Sequence, residues 1–351
     1  MRHTIILLNF QFVLLLALLA GCGSDASTLP PPLPGGNPGE GEAPVTLAFD
    51  GFCATAGSDS AATSRATAAA VTGEPMAVNK IFRIYAYYAG TTDLSTPLDS
   101  RIYTVQSSES GPSVPGKATG DLTLYRGRYD LYLMSYNSDT EAPVLKASGT
   151  AGTFEESNGK DFMYTKLEGI VVQPDQTGSN LMVVSLPRPF TRMGSRVITT
   201  VKAASSQPVA MQTLNVNYIK ISGLSDGLTY ELGNPDWNAG TGYNESITYN
   251  HFTGNPNQYT DPFTSEAQVL LPVDGSQMLS FEVNLTVGYN GTSLTSSYPA
   301  TIQKVMLPGM TYQFDFTLTF YGALTPVDLT LAVKAYNTVT LVSDGLGGDT
   351  D

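Results

Sequence analysis

Tyr312-Gln313-Phe314-Asp315-Phe316-Thr317-Leu318-Thr319-Phe320 alternates large apolar and polar side chains without a break. Successive side chains of an extended chain point to opposite faces, so this stretch spells a strand with one face on a core and the other in water. After Pro326 the pattern recurs: Val327, Leu329, Leu331, Val333 and Ala335 alternate with Asp328, Thr330, Ala332, Lys334 and Tyr336, and Val339 to Val342 extends the run. Working back along the chain, the same period marks Val45, Leu47 and Phe49, then Phe82, Ile84, Ala86 and Tyr88, then Leu122 and Leu124, then Tyr129, Leu131 and Leu133. Further strands are expected over Ile170 to Val172, Leu181 to Leu186, Arg196 to Val201, Leu214 to Ile221, Gln268 to Val273 and Leu279 to Val287. Clusters of Gly and Pro separate them. No amphipathic helix longer than two turns and no strong internal repeat interrupts the series. The class is all-β, and two β-sandwiches accommodate the strands best.

Charged residues make up only 14% of the 351, which suits half-buried sheets joined by turns. Some 300 residues beyond the leader and tether described below make two domains of roughly 150 more probable than one. The stretch Leu181 to Leu186, then Pro187-Arg188-Pro189, reads as a strand leaving a first domain (45–190) before a second (191–343), with 344–351 as a loose polar tail.

The beginning of the chain carries Arg2, an apolar run from Ile5 to Ala20 broken only by Asn9 and Gln11, and then Gly21-Cys22-Gly23-Ser24. This is the layout of a signal peptide over residues 1–21. Leu19-Ala20-Gly21-Cys22 matches the lipoprotein box, with cleavage between Gly21 and Cys22 and acylation of the Cys22 thiol by chains such as palmitate. One acyl chain binds a bilayer only marginally, whereas two or more, at about 0.8 kcal/mol per buried methylene, hold durably. The expected location is therefore a membrane surface outside the cytoplasm. Residues 22–44, with Pro30-Pro31-Pro32 and Gly35-Gly36, have too little apolar content to fold and form a tether.

Composition excludes several functions. The chain has 31 acidic against 18 basic residues, so nucleic acid is not a partner. Beyond the leader, with Cys22 acylated, only Cys53 remains as a free thiol and only His251 as an imidazole, too few for a disulfide framework or a multi-His or Cys metal site. His251 sits in the polar run Tyr249-Asn250-His251-Phe252, where an ordinary surface histidine outweighs a general base. Glu155-Glu156 reads as solvated loop charges rather than the opposed carboxylates of a hydrolase. Asp344, Asp349 and Asp351 lack the spacing of a calcium loop. No enzyme, cofactor or metal is expected. Trp237 leaves open a glycan-binding surface lipoprotein, although one tryptophan and 19 tyrosines fit packing as well.

One arrangement points to function. After the strand Val45 to Phe49, residues 54 to 73 are almost entirely Ala, Thr, Ser and Gly, and Arg65 is the only Lys or Arg between Arg2 and Lys80. Cleavage between Arg65 and Ala66 by an arginine-specific protease removes lipid and first strand together. It leaves a hydrophobic groove and unpaired backbone that a strand from another chain can fill. Without such a cut, the strand instead stays in its sheet and Arg65 is an ordinary exposed charge.

Leu19-Ala20-Gly21-Cys22, Thr63-Ser64-Arg65-Ala66-Thr67, Gly127-Arg128-Tyr129-Asp130-Leu131-Tyr132, the Leu186 to Arg196 junction and the C-terminal strand pair occur in the order found in fimbrillins. The layout resembles this family of type V pilins and fimbrial subunits of Bacteroidales over nearly the whole chain. The resemblance implies two tandem transthyretin-like β-sandwiches, export as a lipoprotein to the outer membrane and cleavage after an arginine. It also implies assembly with other fimbrial subunits by exchange of a C-terminal strand, here Val327, Leu329, Leu331 and Val333, in a surface fimbria that adheres to host or bacterial ligands. The tail is short and ends in Gly and Asp, so donation of 327 to 342 and folding back on its own domain both remain open.

Overall fold

Among the described residues every regular element is a strand, and no helix occurs. The computed structural model describes residues 43–50, 53–55, 74–108, 116–174, 179–186, 190–234, 242–321 and 327–335, with the backbone alone at 53–55, 74–75 and 327–335. The N-terminal half carries β1 (Val45–Asp50), β2 (Cys53–Thr55), β3 (Glu74–Pro75), β4 (Ile81–Tyr88), β5 (Asp99–Ser107), β6 (Lys117–Thr119), β7 (Thr123–Leu124) and β8 (Gly127–Ser135). It continues with β9 (Lys146–Ser148), β10 (Ala151–Glu156), β11 (Met163–Val172), β12 (Leu181–Ser185) and β13 (Phe190–Arg192). The C-terminal half carries β14 (Ser195–Ala203), β15 (Met211–Leu224), β16 (Leu228–Glu231), β17 (Glu245–Tyr249), β18 (Phe252–Thr253), β19 (Phe263–Ser265) and β20 (Gln268–Leu270). Its last strands are β21 (Val273–Tyr289), β22 (Thr292–Met306), β23 (Met310–Leu318) and β24 (Val327–Ala335).

The first sheet runs in the order β12-β1-β6-β5-β4-β8-β11-β13-β2-β3, with β7 also on β1. Neighbouring strands lie about 4.8 Å apart, so three steps across a flat sheet span roughly 14 Å. Phe82 of β4 is three steps from Phe49 of β1 on one side and from Phe190 of β13 on the other, yet the ring centroids are 6.3 and 5.7 Å apart. The sheet therefore curls over its own core, which gathers Val45, Leu47, Phe49, Phe82, Ile84, Leu131 and Leu133 among its fully buried members. The C-terminal half is a sandwich of two sheets, β18-β19-β14-β23-β24 with β20 on β14, and β17-β15-β21-β22. Phe281 of β21 packs on Phe314 and Phe316 of β23 at 4.8 and 5.4 Å across the two layers. The Tyr312-to-Phe320 face is buried at every alternate residue, as its period requires. Asn290-Gly291, both with positive φ, close a two-residue hairpin between Tyr289 and Thr292, the turn whose twist matches its strands.

The β4 reading needs correction. Alternation assigns one buried face to Phe82, Ile84, Ala86 and Tyr88, but Tyr88 is 46% exposed and Tyr85 and Tyr87, on the opposite face, are buried. The cause is a small third sheet, β16-β10-β9, that covers this second face. Tyr85, Tyr87, Tyr132, Met134 and Tyr164 meet Phe154, Leu228 and Tyr230 there in a separate apolar cluster. Strand β16 comes from the C-terminal half and pairs antiparallel with β10, from Thr153↔Glu231 to Glu156↔Leu228. Asn158 adds a clamp: its amide nitrogen donates to the Ser225 carbonyl at 2.9 Å, and its amide oxygen accepts from Leu271 N–H at 2.9 Å. The Arg192 guanidinium pairs with the Asp161 carboxylate out of solvent beside this cluster.

Glu155 and Glu156 also depart from expectation, because they lie in β10 rather than in a loop. Strand alternation sends Glu155 outward to Lys146 and Glu156 inward, where its side chain is buried. The Tyr136 hydroxyl donates to one Glu156 oxygen at 3.0 Å, and the other oxygen has no hydrogen-bond partner among the described residues. Burial pushes the Glu156 carboxyl up to about 7, against the opposing pull of the Tyr136 hydrogen bond and the Lys160 charge. A raised folded-state value means that the native state holds a proton the unfolded chain has lost. The resulting stability is complete below about pH 4.5, and disappears as the pH rises through about 7. Glu156→Gln, permanently neutral, is expected to be more stable than the parent at pH 8 by on the order of 3 kcal/mol and equal to it at pH 4. Thermal unfolding of both proteins across that range checks this, and parallel curves would contradict it.

Candidate functional site

The sequence argument turns on the seat of β1. Val45, Leu47 and Phe49 are fully buried while Thr46, Ala48 and Asp50 are half-buried, the pattern expected of a strand with one face in the core. The strand is not at an edge. It pairs in parallel with β12 from Thr46↔Leu181 to Asp50↔Ser185. On its other side it pairs antiparallel with β7 at Val45↔Leu124 and Thr46↔Thr123, and with β6 at Phe49↔Ala118 and Asp50↔Lys117. Thr46 N–H donates to the Asn180 carbonyl at 2.7 Å, and Leu186 N–H to the Asp50 carbonyl at 3.1 Å.

Strand β12 is the end of the sheet, and β1 is the strand on which it pairs. Leu181 and Val183, facing away from the core, are 48% and 57% exposed, whereas Val184 is buried. The segment read from sequence as leaving the first domain thus returns to lie along the first strand.

Phe49 fits edge-on against two rings, Tyr103 at 5.1 Å and Phe82 at 6.3 Å. Tyr103 and Phe82 stack at 5.6 Å. The Tyr103 hydroxyl donates to the Leu47 carbonyl at 2.7 Å and accepts from Leu122 N–H at 3.3 Å. Burial holds this phenol far above the ordinary tyrosine range, so it is a neutral donor throughout the accessible pH range. Sequence reading missed Tyr103. Gly120, the glycine that makes room for it, was its one available signal.

At the other end of the chain, β24 pairs antiparallel with β23, from Val327↔Leu318 to Ala335↔Met310, and forms the outer strand of its sheet. Val327, Leu329, Leu331 and Val333 therefore lie along their own chain here. Cys53 is in β2, beside Pro75 of β3. His251 is exposed, and its carbonyl accepts from Glu266 N–H at 3.4 Å. Gly21, Cys22, Arg65, Ala66 and Trp237, together with the leader, the tether up to residue 42 and the tail 344–351, lie outside the described residues.

Truncating a buried phenyl group costs about 3–5 kcal/mol, through lost transfer energy and the cavity left behind. Phe49→Ala is expected to destabilise the chain by that amount in urea unfolding. Leu181→Ser, on the exposed face of β12, should stay within about 0.5 kcal/mol of the parent. Equal midpoints for Phe49→Ala and the parent would mean that β1 contributes nothing to the core.

A fimbrillin-like family model matches residues 64–333. No curated protein matches the chain. Among solved structures, one described as a candidate cell adhesion protein of Bacteroides fragilis shares 17% identity and a TM-score of 0.56, covering 85% of this chain and 100% of that one. A candidate cell adhesion protein of Bacteroides uniformis shares 16% identity with a TM-score of 0.47, covering 86% and 100%. One from Bacteroides ovatus shares 13% with a TM-score of 0.46, covering 84% and 98%. The first of these likenesses supports the sandwich fold at this level of identity.

Proposed function

The chain belongs to the fimbrillin-like family, and from that premise we propose that it is a structural subunit of a cell-surface fimbria, exported as a lipoprotein and assembled by strand exchange. The family is one of fimbrial and adhesive proteins, not enzymes. The reading takes residues 45–190 and 191–343 as tandem sandwich domains, Cys22 as the lipid-bearing residue and Arg65-Ala66 as the processing site.

The observation that carries it is the seat of β1. A strand whose three inward side chains are buried, and which is flanked on both edges, leaves a slot when removed: an apolar trough with backbone donors and acceptors on both walls. An extended strand of alternating apolar residues from another subunit matches such a slot in shape and chemistry. Burying the three apolar side chains that the slot receives, at roughly 1.5–3 kcal/mol each, offers about 5–9 kcal/mol before ordering costs. Val327, Leu329, Leu331 and Val333 have the required alternation. In that role β24 exchanges its pairing with β23 for pairing in the next subunit's slot, and its position at the outside of a sheet lets it leave by breaking one ladder.

The alternative within the family is an uncleaved anchor or tip subunit that keeps β1. Mass spectrometry of filaments sheared from cells separates the two. A mature terminus at Ala66 is expected for the shaft subunit. Acylated Cys22 alone, in protein confined to the membrane fraction, assigns the anchor role instead. Either assembled form is expected at the outer membrane surface among other fimbrial subunits.

A further inference from the structure

We propose that Tyr103 positions whichever strand occupies the β1 slot, its hydroxyl holding one backbone carbonyl of that strand while the rings beside it select a large, preferably aromatic, side chain two residues further on. This inference rests on the strand-exchange reading and gives it a residue.

The ladder on the β6–β7 side of β1 is interrupted. Pairing runs over Val45 and Thr46 with β7 and resumes at Phe49 and Asp50 with β6, leaving Gly120-Asp121-Leu122 between the two partners. Leu47 N–H is satisfied across the gap by the Leu122 carbonyl at 2.9 Å. The Leu47 carbonyl takes the Tyr103 hydroxyl, which comes from β5, one strand beyond. The Tyr103 ring can lie there because position 120 is glycine: a Cβ at Gly120 would come within 2.6–2.7 Å of three Tyr103 ring carbons. Gly120 makes room for the ring, and the ring carries a hydroxyl to the break in the ladder.

The contact reads main chain, so it is available to any strand in the same register. Selection comes from the side chain two residues later. Phe49 meets Tyr103 at 88° and Phe82 at 89°, edge to face, the geometry in which aromatic pairs gain beyond their buried area. The segment Val327–Ala335 contains no aromatic residue, so as an occupant it fills this wall less completely than Phe49 does. The native first strand is then the better fit, and cutting the connector is what allows it to be replaced.

The test uses the full chain with a specific protease site placed at residues 63–67 and nicked in the folded state, so that the N-terminal fragment is held by β1 in its slot and by the short β2 pairings with β13 and β3, which are the same in every variant. The fragment carries a fluorophore at its N-terminus, and its release is followed in excess unlabelled peptide of residues 43–50. Loss of one hydrogen bond corresponds to roughly a 2- to 10-fold change, so Tyr103→Phe should release the fragment faster by that factor. Phe49→Leu should do the same while leaving the Tyr103 hydroxyl and its bond to the Leu47 carbonyl in place. Tyr129→Phe, which removes a hydroxyl bonded to the Tyr125 carbonyl, should release at the parent rate. Parent-rate release from Tyr103→Phe, or from Phe49→Leu if Tyr103→Phe does not fold, overturns the proposal; so does loss of the parent fragment within the mixing time. Filaments whose subunits begin at Cys22 would sink the exchange reading and leave these rates unchanged. Equal rates would sink the role of Tyr103 while filaments could still begin at Ala66.

Discussion

Leu47 and Phe49 lie on a strand that is buried on one face and paired along both edges, and the N-terminal core is arranged around that fact. Phe49 touches the stacked pair Phe82 and Tyr103, and Phe82 in turn touches Phe190 from the far side of the curled sheet. Two ring contacts, Phe49 with Phe82 and Phe82 with Phe190, thus link strands three steps apart in the sheet order. Closing a sheet on itself requires something large near the middle, and here the first strand supplies part of it. A segment near the chain's beginning is therefore a component of the core.

The C-terminal half is joined to this core by more than the link near residue 190. Strand β16 is spent on covering the outer face of β4 and β8, and Asn158 holds backbone groups of the 225 and 271 regions. The described residues, all from Ala43 onward, accordingly fall in one compact unit. Glu156 lies within this join with one oxygen unpaired, a costly arrangement for a charged carboxylate and a cheaper one for a neutral acid.

Strands with a single buried face were legible in the sequence because their period is written directly in the side chains: Val45 to Phe49 and Leu279 to Val287 lie where alternation places them, and the strand read over Tyr312 to Phe320 ends at Leu318 with Phe320 still buried. β4 and β8 were half legible. A strand covered on both faces loses its alternation, and tyrosines such as Tyr85, Tyr87 and Tyr132 look the same whether they face water or a second layer. Glu156 was misread for a related reason, since adjacent glutamates on a strand face opposite ways and only the third sheet reveals which one is buried. The parallel pairing of β12 with β1 and the hydrogen bond from Tyr103 to Leu47 join residues more than 50 positions apart, and no local pattern encodes them.

The two edges of β1 also set how the strand resists force. A pull along its length strains the bonds to β12 and those to β6 and β7 in shear, all at once, so many must fail together. A sideways pull on β12 meets a single ladder and can open it one bond at a time. A joint made by filling this seat would be strong under axial tension and weak under peeling, a mechanical directionality that follows from placing the strand one position in from the rim.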